Sequence, residues 1–139
     1  MLYLSLEDTF NRLQKRLLQL VGSEEAPRTA GHADGMQQHR AGAGRTAHQL
    51  LYQHPDTGLI VIDTLQKVRK GDQNGSMYAN DYRDIGALKE LADKYGICIL
   101  LVHHLRKQSS SDPYDQISGS TGIMGVADTT WLMHRQRMR

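Results

Sequence analysis

At 139 residues the chain has room for one domain with a buried core. Its 39% hydrophobic and 23% charged residues and formal net charge of +2 are those of an ordinary globular protein without charge blocks, a balance that neither demands nor excludes nucleic acid. A single cysteine, Cys98, excludes a disulfide within the chain; with no apolar run of membrane-spanning length and no signal-peptide pattern, the expected location is the cytoplasm, away from any membrane.

The chain opens on LYLSLED, whose bulky, β-favouring residues predict a strand over residues 2–6. DTFNRLQKRLLQLVG follows, with Phe10, Leu13, Leu17 and Leu20 at helical spacing, Asp8 available as a cap and Gly22 as a stop. From 28 to 49 the composition shifts to Gly, Ala, His, Arg and Gln, with Met36 the one large aliphatic side chain, and nothing there is expected to anchor a core. GLIVID predicts a strand over residues 59–63, and a Gly- and Asn-containing loop comes after it. A second helix is expected over residues 78–95, with Tyr82, Ile85, Leu88 and Ala92 along one face and Gly96 as its stop. ICILLVHH then reads as a third, nearly continuous apolar strand, and a polar loop leads to the final VADTTWLMHR.

Strands that are apolar on both faces and alternate with helices indicate a mostly parallel sheet flanked by helices, an α/β fold. In such sheets ligands gather beyond the carboxyl ends of the strands. Glu7 follows the first strand, Asp63 ends the second, and His103 or His104 ends the third, so that polar groups from three strands converge on one edge. Asp63 could alternatively serve as a turn cap. The two histidines, as strand neighbours, point to opposite faces and are poorly placed to chelate one metal together.

The succession YLSLED, LIVIDTLQKVR, ILLVHHLRK and SGSTGIMGVADTTWLMHR resembles the RecA-type P-loop NTPase core of RepA-like hexameric DNA helicases, within the AAA group of ATPases. The resemblance spans most of the chain outside residues 28–49. It implies that Glu7 polarises the attacking water and that Asp63 is the Walker B acid, holding the water shell of an Mg²⁺ that bridges the phosphates of ATP. It puts His104 at the sensor position and makes Arg135 the arginine finger offered to a neighbouring subunit of a homo-oligomeric ring, with Arg137 as the alternative. The basic residues Lys67, Arg69, Lys70, Arg106 and Lys107 follow the second and third strands, where ring helicases present loops to single-stranded DNA.

Two features depart from that pattern. The G-x-x-x-x-G-K-[ST] loop that cradles phosphates is missing from the sequence. The family carries it ahead of YLSLE, so an N-terminally truncated, incomplete domain is expected, unable to turn over nucleotide by itself. Within a partial RecA-like ATPase domain over 1–139, residues 28–49 read as a poorly ordered insert or a frame-shifted segment, where the family has a strand and the start of a helix. Two alternatives stand beside the helicase fragment: a non-catalytic partner that docks into a ring and lends Arg135, and a DNA-binding or regulatory RecA-like subunit that does not unwind.

Overall fold

The computed structural model describes residues 1–22, 31–34, 43–67, 76–106, 112–117 and 122–134. Four parallel strands, β1 (Leu2–Ser5), β2 (Gly31–Asp34), β3 (Leu59–Asp63) and β4 (Cys98–Val102), form one sheet in the order β2-β1-β3-β4. The α/β class and the predominantly parallel sheet expected from the apolar runs are thus present. The register sets Leu2 and Leu4 opposite Ile60 and Ile62, and sets Ile60 and Ile62 opposite Ile99 and Leu101. Side chains alternate along a strand, so these six share one face.

That face carries the main core. Helix α2 (Ala43–Gln53) contributes Ala47, Leu50 and Leu51, spaced to form one stripe, and α3 (Met77–Tyr95) contributes Leu88 and Leu91. Ile60 and Ile62 have no exposed surface at all. A hydrogen bond of 3.0 Å between the Tyr95 hydroxyl and His48 Nε2 ties the two helices together. A second cluster of Leu65, Ile85 and Ile123 joins α3 to the short α4 (Gly122–Val126).

Part of residues 28–49 has a place in the fold. Residues 31–34 form β2, paired along its whole length with β1, and residues 43–49 open α2. Ala47 is fully buried, which corrects the view that nothing in this stretch anchors a core. The apolar stripe of α2 is completed by Leu50 and Leu51, just beyond it. Residues 28–30 and 35–42 lie outside the described residues.

Smaller differences concern helix ends and faces. Helix α1 (Phe10–Val21) is N-capped by Thr9 rather than Asp8, whose carboxylate is paired with Arg12 and Arg16 instead. Helix α3 starts one residue earlier than expected, where the Ser76 hydroxyl accepts from the Ala79 amide at 3.2 Å, and Gly96 closes it in the left-handed conformation at φ 62°. Its inward face runs through Asp81, Ile85, Leu88 and Leu91, and Tyr82 points outward to stack on Tyr78. Strand β4 ends the sheet, with Leu100 40% exposed. Among the described residues no helix is long and apolar enough to cross a membrane.

Candidate functional site

Because all strands run the same way, their carboxyl ends share one edge, and the register sets Ser5, Asp63 and Val102 abreast there. Asp63 is the last residue of β3, Glu7 lies two positions beyond β1, and His104 two positions beyond β4. The Leu6 amide donates to the Asp63 carbonyl at 2.6 Å, which carries the β1–β3 ladder one residue past the strand and holds Glu7 at its end.

Asp63 stands on the face away from the α2–α3 core, the face shared by Tyr3 and Ser5. The Tyr3 hydroxyl reaches along this face and donates to Asp63 Oδ2 at 2.5 Å. Partial burial first, and then this bond to an anionic carboxylate, push the Tyr3 phenol up from 10.0 to about 12, so it stays a proton donor across the physiological range.

The next residue, Thr64, follows a cis peptide bond, is 2% exposed, and donates its hydroxyl to Glu7 Oε1 at 2.9 Å. Glu7 Oε2 faces His104 Nε2 at 3.6 Å, an ion-pair separation when the imidazole is protonated and too long for a hydrogen bond. The Thr64 bond is the largest influence holding the Glu7 carboxyl below its ordinary 4.5; desolvation opposes it, and His104 and Lys67 add to it. Glu7 is therefore an anion at neutral pH, able to accept a proton.

Glu7, Asp63 and His104, which sequence reasoning singled out, are thus gathered at one edge. Lys67 ends the 3₁₀ turn that follows β3, close enough for its charge to act on Glu7. Arg106 follows β4, where its amide donates to the Gln116 carbonyl at 2.6 Å. Arg69, Lys70, Lys107, Arg135 and Arg137 lie outside the described residues.

Sequence reasoning missed Tyr3 and Thr64. Strand alternation does place Tyr3 on the face of Ser5, away from Leu2 and Leu4. Its reach to Asp63 depends on which strand pairs with β1 and in which register, and local sequence does not carry that information.

No curated protein matches the chain in sequence. Residues 1–110, most of the chain and the whole of the four-stranded sheet, match the AAA domain family, an ATPase-type domain, and the chain belongs to that family.

Proposed function

We propose that the chain is part of the ATPase domain of a RepA-like, ATP-dependent DNA helicase, working in the cytoplasm. The observation that carries this reading is the meeting of Glu7, Asp63 and His104 at the carboxyl edge of three adjacent parallel strands. Glu7 is the base for the attacking water. Asp63 supports Mg²⁺ through its water shell, and the donor set fits that ion: a hard carboxylate with one oxygen already oriented by Tyr3. When bound with ATP, Mg²⁺ supplies charge neutralisation between the phosphates. His104, beside Glu7, is the sensor residue. Arg135, with Arg137 as the alternative, acts on the nucleotide of the next subunit in a ring, and Lys67, Arg69, Lys70, Arg106 and Lys107 meet the phosphates of single-stranded DNA.

The phosphate-cradling loop is the piece this sequence does not contain. The test is to fuse a strand, Gly-rich loop and helix of that type ahead of Met1 and to measure ATP hydrolysis. The chain alone is expected to show none above background. In the fusion, Glu7→Gln should block hydrolysis with nucleotide still bound, and Asp63→Ala should weaken binding of the Mg²⁺-nucleotide itself. Turnover by the unfused chain that Asp63→Ala abolishes would overturn the need for the added loop. Hydrolysis by the fusion that is indifferent to Glu7→Gln would overturn the role of Glu7.

A second reading is a non-catalytic or regulatory RecA-like subunit that binds DNA or docks into a ring of complete subunits. Co-purification with an intact helicase, without hydrolysis by the fusion, would select it.

A further inference from the structure

A buried hydroxyl is costly unless it is hydrogen-bonded, and Thr64 is buried at the end of β3 with its hydroxyl committed to Glu7. Glu7 is the opposite case, an exposed side chain with several rotatable bonds, which a base cannot leave unrestrained. The Thr64 bond makes its two oxygens inequivalent. Oε1 is tied to a residue that cannot move without disturbing the strand end, and Oε2 faces His104 Nε2 at the longer distance of 3.6 Å.

Resting on the reading of Glu7 as the base, we propose that Thr64 is its positioning residue: the hydroxyl pins Oε1 and leaves Oε2 as the oxygen that takes the proton. In that step an O–H bond of water breaks, its proton going to Oε2 and its oxygen to the γ-phosphorus, and the bond from phosphorus to the bridging oxygen opens with its electron pair. Thr64 touches none of the reacting atoms. Its effect is to fix where the proton lands and to keep Glu7 ionised alongside the two cationic side chains that face it, His104 when protonated and Lys67.

The test uses the chain as it stands, with the Glu7 carboxyl followed by carbon-13 NMR as pH is lowered. In the unmodified chain the Glu7 midpoint lies below 4.5 and the Thr64 side-chain resonances move with the same midpoint. Thr64→Val, which keeps the shape and removes the donor, should move the Glu7 midpoint upward, and Thr64→Ser, which restores the donor, should return it. A purely structural role for Thr64 would lower stability in Thr64→Val and leave the Glu7 midpoint in place. An unmoved midpoint in Thr64→Val overturns the proposal, as do Thr64 resonances that stay flat through the Glu7 titration in the unmodified chain, a measurement that needs no variant to fold.

The fusion described above separates the two layers. If hydrolysis depends on Glu7, Thr64→Val should cut kcat about tenfold and shift the acid limb of the pH–rate profile to higher pH. Dependence on Glu7 with that limb unmoved removes Thr64 alone. Hydrolysis indifferent to Glu7→Gln removes the base and its positioning residue together.

Discussion

Replacing Tyr3 by Phe deletes one hydroxyl and nothing else from the face that carries Asp63. The upward displacement of the phenol from 10.0 to about 12 corresponds to about 2.7 kcal/mol of preference for its neutral form. Burial is the larger cause, and it persists in phenylalanine, so only the share due to the bond with Asp63 is lost. With solvent reaching the partly exposed pair, that share is about 1 kcal/mol, within the usual net worth of one hydrogen bond. Urea unfolding at pH 7 should show it as a midpoint lowered by about 0.5 M at a slope of about 2 kcal/mol per M. The double-mutant cycle isolates the bond: in an Asp63→Ala background the same Tyr3→Phe change should cost close to nothing. A group with a raised folded-state pKa contributes stability that is fully present below its unfolded value and lost as pH rises through the folded one. The gap between the unmodified and Tyr3→Phe proteins should therefore hold up to about pH 10 and close before pH reaches about 12, because the linked loss of stability across that interval exceeds the gap itself. Equal costs of Tyr3→Phe with and without the Asp63→Ala change would refute the bond as the source of the effect.

Ile62→Ala should cost about 2–5 kcal/mol in the same urea assay, because Ile62 has no exposed surface and sits between β1, β4 and the covering helices; a loss below about 1 kcal/mol would place it outside the core. Ser76→Ala should cost about 1 kcal/mol and speed amide exchange at Ala79, with Leu88 and Leu91 keeping their protection; unchanged exchange at Ala79 would refute the cap.

What could be read from the sequence was whatever the chain encodes over short distances. LIVID and CILLV are continuous apolar runs bounded by turns, and they are β3 and β4 as expected. The 3.6-residue spacing locates α1 and α3, but the stripe it predicts on α3 includes Tyr82, which the fold turns to solvent. Gly31, His32, Ala33 and Asp34 carry no local preference for a strand; β2 is held in place by its ladder to β1, a tertiary effect that overrides propensity. The stripe of α2 straddles the change of composition at residue 49, so that Ala47 and Leu50 belong to differently composed stretches of sequence and to one core cluster. At the site, Glu7, Asp63 and His104 were legible because strand ends in parallel sheets point the same way. The Tyr3–Asp63 and Thr64–Glu7 bonds were not, since each joins residues about sixty positions apart.

The same parallel arrangement sets the order of events when the protein is made. Parallel neighbours cannot be joined by a tight hairpin, and here the residue opposite Leu2 in β3 is Ile60, nearly sixty positions later. At a synthesis rate of about 5–20 residues per second, β1 spends several seconds without that partner. Through that interval Leu2 and Leu4 can pair only with the earlier-made β2, and the site at the end of β1 exists only after β4 has arrived with His104. Non-local pairing of this kind slows folding and prolongs exposure to aggregation, so the step that assembles the site is also the one in which the nascent chain is most vulnerable.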